Sequence, residues 1–132
     1  MKKSVTIAVV TVWAVLLSAV TALAGTSNVN YDMVVGSSHA ISSTATQTKA
    51  TTGADGYGYM SHNYPNNPDK SVRMYRNSNG TVGDWWDGVN AGESFYLEAD
   101  SAFTSGAGVR MQVRSSFWTT YQTTVKGYWR SN

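Results

Sequence analysis

The sequence predicts an all-β domain: an antiparallel β-sandwich or small barrel of about seven strands, with no substantial helix after removal of a signal peptide. Residues 25–132 contain a single leucine, Leu97, and a single isoleucine, Ile41, whereas valine, threonine and tyrosine are abundant. β-Branched and aromatic residues pack well on a pleated sheet, while helices favour Leu, Ala, Glu and Lys. Apolar residues also alternate with polar ones in several segments, which is typical of half-buried strands.

Three segments show this alternation most clearly: 94–100, 107–115 and 121–130. In the last of them, Val125 and Trp129 share the apolar face, whereas Lys126 and Arg130 share the polar one. Polar outward faces of this kind predict an antiparallel sheet with one side in water. Weaker strands are predicted at five further segments: 29–35, 41–51, 56–62, 71–76 and 81–86.

Residues 1–24 have the organisation of a cleaved signal peptide. Lys2 and Lys3 precede an apolar stretch, and Ala22-Leu23-Ala24 is a small-x-small cleavage site. A retained membrane anchor is the alternative, but hydroxyl residues interrupt the stretch and no basic stop-transfer cluster follows. We expect cleavage after Ala24.

The remaining chain is expected to have two parts. Residues 25–52 are rich in Ser and Thr and either supply the first strands or are partly disordered. Residues 53–132 carry the main β domain, with turn residues between its predicted strands. Among these turns, Asn79-Gly80 is a strong hairpin signal, because both residues tolerate positive φ.

Charge and cysteine content exclude several classes of function. The chain has ten basic and eight acidic residues, and cleavage would remove Lys2 and Lys3, which leaves no net charge. A strongly basic nucleic-acid-binding protein is therefore excluded. The chain has no cysteine, which fits the disulfide-free exported proteins of Gram-positive bacteria. We expect an extracellular protein that binds no nucleic acid and is not integral to the membrane after cleavage.

Catalytic motifs are not recognisable in the sequence. The two histidines, His39 and His62, are not accompanied by a G-x-S-x-G serine. Glu98 and Asp100 share an outward strand face, where carboxylates usually serve solubility rather than glycoside hydrolysis. We therefore predict that the protein is not an enzyme; a small secreted hydrolase is the least favoured function.

Metal and cofactor sites are not predicted either. The segment 84–90 offers oxygen ligands but lacks the acid spacing of an EF-hand loop. The Asn-rich segment 66–71 loosely resembles a calcium loop of bacterial βγ-crystallin domains, but Lys70 stands where a Ser or Thr ligand is expected. Its positive charge argues against calcium.

Aromatic residues are the candidate binding residues. Trp85 and Trp86 are adjacent, so on a strand one is expected to enter the core and the other to face solvent or a partner. Together with Tyr57, Tyr59 and Tyr64 they form a candidate platform on which sugar rings stack. The alternative is that aromatic residues fill a core that is poor in leucine.

Basic residues are the second surface feature. Arg73, Arg110, Arg114, Lys126 and Arg130 form one cationic face if their strands are neighbours. Such a face engages anionic wall polymers or lipid headgroups. With no net charge on residues 25–132, a solvated outer face is the favoured interpretation.

The C-terminal half resembles a known type of protein. The segments 92–99 and 109–114, followed by Gly127-Tyr128-Trp129, resemble the final region of a family of small secreted all-β proteins of Gram-positive bacteria whose function is unknown. That family ends in an acidic tail, where this chain has Arg130-Ser131-Asn132. More distantly, the chain is similar to the lactococcin-972-like bacteriocins, which are secreted, cysteine-free and rich in Tyr, Trp and Gly.

Two functions are therefore expected. The leading hypothesis is a secreted, non-catalytic β-sandwich that binds an unknown cell-surface or envelope component. The alternative is a secreted bacteriocin-like antimicrobial protein, in which strands or aromatic residues engage an envelope target.

Overall fold

The computed structural model describes residues 25–132, so the predicted signal peptide, residues 1–24, lies outside the described residues. The described residues form nine strands and no helix. The strands are β1 (Val29–Val35), β2 (Ile41–Ser43), β3 (Gln47–Thr48), β4 (Gly56–Tyr64), β5 (Lys70–Arg76), β6 (Trp86–Val89), β7 (Glu93–Leu97), β8 (Gly108–Ser115) and β9 (Thr123–Arg130). Within residues 25–132, no helix is long and apolar enough to span a bilayer.

The strands form two antiparallel sheets that pack face to face. Sheet A has the strand order β1-β9-β4-β7, and sheet B has the order β2-β8-β5-β6, with β3 also paired to β8. Neither sheet closes into a barrel. The prediction of an all-β sandwich is therefore confirmed, and of the two predicted architectures the molecule adopts the sandwich. Segment 25–52 contributes β1, β2 and β3.

Two predicted strands are divided differently from the prediction. The predicted strand 41–51 is two short strands, β2 and β3, separated at Thr44. Thr44 Oγ1 accepts the backbone N–H of Met111 at 3.0 Å, so its side chain takes a hydrogen bond that a strand carbonyl would otherwise accept. In the predicted strand 81–86, only an isolated bridge between Tyr75 and Val82 forms, and the regular strand starts at Trp86.

The core lies between the two sheets, and both sheets contribute alternate side chains to it. The buried apolar residues of sheet B are Val72, Met74, Val89, Val109, Met111 and Val113. Those of sheet A are Tyr31, Val35, Met60, Phe95, Leu97, Val125 and Trp129. The predicted register of β9 is confirmed, because Trp129 is 1 % exposed and Val125 is fully buried while Lys126 lies in solvent.

Glycines on the inner face of sheet A make room for aromatic rings. A side chain at Gly58 would collide with the ring of Phe95, its pairing partner on β7. A side chain at Gly127 would collide with the carbonyl of Tyr59 and come within 2.7 Å of the Tyr31 hydroxyl. Tyr31 pairs with Gly127 and donates its hydroxyl hydrogen to the Tyr59 carbonyl at 3.0 Å. The rings occupy the volume that the glycines leave free.

Two lysines are buried at opposite ends of β8. Lys49 follows β3 at the start of β8, and its Nζ donates to the carbonyls of Ala54 and Ser131. Lys70 pairs with the last residue of β8, and its Nζ donates to the Pro68 carbonyl at 3.4 Å. Desolvation by burial lowers the pKa of each ammonium group to about 8.

The first prediction concerns the register of β9. Trp129→Ala is expected to destabilise the protein by about 3–5 kcal/mol, because it deletes a fully buried indole and leaves a cavity. Lys126→Ala is the control: its exposed ammonium group lies 3.8 Å from Asp32, and loss of such a pair costs less than about 0.5 kcal/mol. Urea unfolding of both variants measures the difference. Equal midpoints for wild type and Trp129→Ala would show that the register is wrong.

The second prediction concerns pH. The free energy of unfolding is expected to rise by at least about 1 kcal/mol between pH 7.5 and pH 9.5. Folded Lys49 and Lys70 lose their protons near pH 8, whereas unfolded lysines keep theirs to about pH 10.4. The unfolded state therefore binds more protons in this window, so stability increases with pH. Above about pH 10, ionisation of unfolded tyrosine opposes the gain, because burial raises the pKa of folded Tyr31.

Urea unfolding at the two pH values measures this rise. Lys49→Met and Lys70→Met should each reduce it, because a neutral side chain has no proton to release. Lys126→Met should leave it unchanged, since that ammonium group is exposed. A midpoint that falls with pH in the wild type contradicts the prediction.

Candidate functional site

The outer face of sheet A and the adjoining edge of sheet B carry a continuous row of aromatic side chains, which we call the aromatic row. Its members, in order, are Trp86, Tyr96, Tyr57, Tyr128 and Tyr59. Successive ring centroids are 6.0, 5.7, 6.4 and 5.5 Å apart. These distances lie in the range in which aromatic rings attract one another. The rings therefore support each other without contributing to the core.

Strand register brings these five residues together. The alternation of glycine and tyrosine in β4 turns Tyr57 and Tyr59 outward. Tyr96 is the pairing partner of Tyr57 on β7, and Tyr128 is the partner of Tyr59 on β9. Trp86 starts β6 in sheet B and reaches Tyr96 where the edges of the two sheets adjoin.

Polar groups accompany the aromatic row. The guanidinium carbon of Arg130 lies 4.8 Å from the centroid of the Tyr57 ring. The Tyr57 hydroxyl and the Ser94 hydroxyl share a hydrogen bond of 2.9 Å. Desolvation and the neighbouring Tyr57 side chain raise the pKa of Tyr128. A tyrosine phenol is neutral at pH 7 even without such a shift, so Tyr128 offers an O–H donor.

A shallow hollow of about 440 Å³ adjoins the end of the aromatic row at Tyr59 and Tyr128. The polar side chains around this hollow are Asn30, Asp32, Ser61 and Lys126. Ring faces beside amide, carboxylate, hydroxyl and ammonium groups suit a polyhydroxylated ligand. The rings contact its C–H groups, and the polar side chains hydrogen-bond to its hydroxyls.

Three of the five predicted binding residues, Tyr57, Tyr59 and Trp86, lie in the aromatic row. Tyr64 is exposed at the last position of β4 and is not part of it. Trp85 lies on the outer face of sheet B, against two arginine side chains. The expectation that Trp85 or Trp86 enters the core is wrong: Trp86 is 39 % exposed, and Trp85 is half-buried outside the core.

Two members of the aromatic row, Tyr96 and Tyr128, were missed as binding residues. The sequence alternation placed both on outward faces, which is where they lie. Their membership in the row depends on the strand order of sheet A, which alternation does not reveal.

The five basic residues do not form one face. Arg73, Arg110 and Arg114 lie on the outer face of sheet B, on β5 and β8, whereas Lys126 and Arg130 lie on the outer face of sheet A. The condition for a single cationic face, that all five residues lie on neighbouring strands of one sheet, is therefore not met. Each sheet presents its own charge pattern.

The loop between β8 and β9 exposes two further aromatic residues. Trp118 is 84 % exposed, and its ring centroid lies 5.3 Å from that of Phe117. The loop is held at Thr119, which is buried. The carbonyl of Thr119 accepts the Ser38 N–H at 2.8 Å, and its hydroxyl hydrogen-bonds to Ser116 at 3.1 Å. Defined backbone contacts thus hold an apolar pair out in solvent.

Two carboxylates in or beside the predicted outward pair, Glu93 and Asp100, stabilise turns. Glu93 accepts the Asn90 N–H at 2.8 Å, and Asp100 accepts the Ala102 N–H at 2.9 Å. Glu98 is exposed and lines a depression of about 150 Å³. Among residues 25–132, no group of three or more His, Cys, Asp or Glu side chains is arranged to hold a metal ion.

Comparison with known proteins supports the fold alone. No family model matches the sequence, and a search of curated proteins gave no significant match. Among solved structures, the crystal structure of the Yersinia pseudotuberculosis-derived mitogen is similar to this chain. The TM-score is 0.51 and the sequence identity is 15 %, with 80 % of this chain and 86 % of that chain covered. The described arrangement of strands therefore resembles a fold that has been solved experimentally.

Proposed function

We propose that this protein is secreted and acts at or near the bacterial cell surface as a non-catalytic binding protein, with a glycan as its ligand. The observation that carries this proposal is the continuous aromatic row, together with the hollow beside it. None of the five aromatic side chains belongs to the buried core. Their placement on one exposed face has no role in packing the sandwich.

The chemistry of this surface suits a sugar chain. Aromatic side chains bring a large apolar area together with a polar tip, so one residue contacts both the C–H face and the hydroxyls of a sugar. In the aromatic row, the ring of Tyr128 already packs on the rings of Tyr57 and Tyr59 in the absence of a ligand. Less side-chain freedom is therefore lost when a ligand binds.

Binding without hydrolysis is the favoured activity. A glycosidase needs two carboxylates placed on either side of the scissile bond. Around the hollow the side chains supply one carboxylate, Asp32, which faces Lys126 at 3.8 Å. The arrangement supports recognition of a ligand and gives no support for the hydrolase.

The third prediction tests the glycan proposal. Tyr59→Ala and Tyr128→Ala are each expected to weaken retention of the purified protein on cell wall by about tenfold. Each substitution removes one wall of the hollow; Tyr59→Ala also shortens the aromatic row at its end, and Tyr128→Ala interrupts it. Retention on purified cell wall is measured as a function of protein concentration, and isothermal titration with soluble wall glycan gives the dissociation constant.

Tyr75→Ala is the matched control, because Tyr75 is a half-buried tyrosine on the outer face of sheet B. It should be retained like the wild type. Urea unfolding of every variant establishes that the fold is intact. The proposal is wrong if the wild type is not retained on wall or glycan, or if all three variants are retained equally.

A bacteriocin-like antimicrobial protein is the second candidate function, and the Phe117–Trp118 pair favours it. Exposed apolar side chains that are held in place mark contact sites for a partner or an envelope component. Trp118 is the most exposed large apolar residue of the described chain. The resemblance to lactococcin-972-like bacteriocins points in the same direction.

The fourth prediction tests this alternative. If the protein is antimicrobial, the purified wild type inhibits growth of related strains, and Trp118→Ala raises the inhibitory concentration by about tenfold because the exposed indole is lost. Tyr128→Ala, which lies in the aromatic row and not in the loop that carries Trp118, should leave the inhibitory concentration unchanged. Absence of growth inhibition by the wild type excludes the antimicrobial function.

A further inference from the structure

The outer face of sheet B carries three side chains that we call the arginine–tryptophan cluster: Arg73, Arg114 and Trp85. The guanidinium carbon of Arg73 lies 4.2 Å from the centroid of the Trp85 ring, and that of Arg114 lies 4.0 Å from it. Cation–π attraction at these distances holds both guanidinium groups on a single indole. Two positive charges are thus fixed close together on an exposed face.

The hydrogen bonds of the cluster leave donors unused. Arg73 Nε donates to Gln112 Oε1 at 2.8 Å. Arg114 Nε is buried and has no hydrogen-bond partner. A guanidinium group has five N–H donors in a planar fork. The terminal nitrogens of both groups make no hydrogen bond within the described residues, so their N–H groups remain available.

Carboxylates do not neutralise the cluster. Within the part of the chain that the structure describes, no carboxylate oxygen lies within 4.0 Å of either guanidinium group. Asp87 is on the same face but accepts the Ser71 hydroxyl at 2.5 Å, next to Arg114 in register. Arg110 adds a further positive charge on β8.

Burial and the charge of a neighbouring arginine both disfavour the charged form of Arg73 in the cluster. Desolvation, and then the charge of Arg114, lower the pKa of Arg73. An anion placed between the guanidinium groups and solvent would supply the missing opposite charge. It would also supply acceptors for the terminal N–H groups of the two arginines.

We propose that the arginine–tryptophan cluster binds an oxyanion of the phosphate type, through the N–H edges of Arg73 and Arg114. Guanidinium groups bind phosphate in a bidentate manner, which a flexible ammonium group does not reproduce. The site lies on the sheet opposite the aromatic row, so it stands independently of glycan binding. Free phosphate and phosphate carried on a polymer offer the same chemistry, and the experiment distinguishes them.

Isothermal titration at low ionic strength uses two probes, inorganic phosphate and poly(glycerol phosphate), with the purified protein. Arg73→Gln and Arg114→Gln are expected to weaken binding of a probe by about tenfold or more, because each removes half of the guanidinium pair. Arg110→Gln is the charge-matched control: it removes one positive charge from β8 outside the cluster, where Arg110 Nε donates to Thr46 Oγ1, and it should weaken binding by less than about twofold.

The variant Trp85→Leu distinguishes binding by oriented guanidinium groups from non-specific electrostatic attraction. It keeps every positive charge but removes the ring that orients both guanidinium groups, so we expect weaker binding at unchanged net charge. Phosphate should also alter tryptophan fluorescence in the wild type and not in Trp85→Leu. Circular dichroism checks the fold of each variant.

The outcomes decide the proposal. If both probes bind with similar affinity per phosphate group, the site binds free phosphate. If the polymer binds more tightly per phosphate group than inorganic phosphate does, the ligand is a phosphate-bearing chain. The proposal is overturned if neither probe binds the wild type, if Arg110→Gln weakens binding as much as Arg114→Gln does, or if Trp85→Leu binds like the wild type.

Discussion

The packing of rings against glycines on the inner face of sheet A is the constraint on which the rest of the molecule depends. Phe95 lies over Gly58, and Tyr31 lies over Gly127, so each pair fits only in the observed register. A slip of one residue in β4 would turn Tyr57 or Tyr59 inward against Phe95. Because side chains alternate with a period of two, the same constraint presents the tyrosines on the outer face.

The packing of rings on glycines also links three strands of sheet A. Tyr31 on β1 covers Gly127 on β9 and donates to the Tyr59 carbonyl on β4, so one side chain of β1 contacts two further strands. Removing the phenol would leave both a void over a glycine and an unpaired backbone acceptor. The candidate site on the outer face therefore depends on packing on the inner face of sheet A.

Much of the fold could be predicted from the sequence because its signals are local. Alternation assigned Val125 and Trp129 to the core, and the first predicted strand has the bounds of β1. The errors in the predicted strands arise in two situations. Either a side chain takes a hydrogen bond that the backbone would otherwise make, or the chain lies outside the regular hydrogen-bond ladder of the sheet. Thr44 takes a ladder hydrogen bond with its hydroxyl, and Trp85 lies before the first regular residue of β6. Rules for strand faces do not apply at such positions.

The candidate site could be predicted only in part, because its assembly is non-local. Tyr57 and Tyr59 come from β4, but their neighbours Tyr96 and Tyr128 come from β7 and β9, far along the chain. Alternation shows which way a side chain points and does not show which strands are adjacent. The same limit applies to the basic residues, which strand order divides between two sheets.

Strand order also changes what net charge implies. Residues 25–132 carry equal numbers of basic and acidic residues, which excludes long-range attraction of the whole domain to an anionic polymer. The two outer faces nevertheless differ, because Lys126 on sheet A faces Asp32 while the guanidinium groups of Arg73 and Arg114 on sheet B have no carboxylate within 4.0 Å. At a Debye length of about 8 Å, an anionic group responds to the face it approaches rather than to the molecular total. A chain with no net charge can thus present an uncompensated cationic site on one sheet and an aromatic surface on the other.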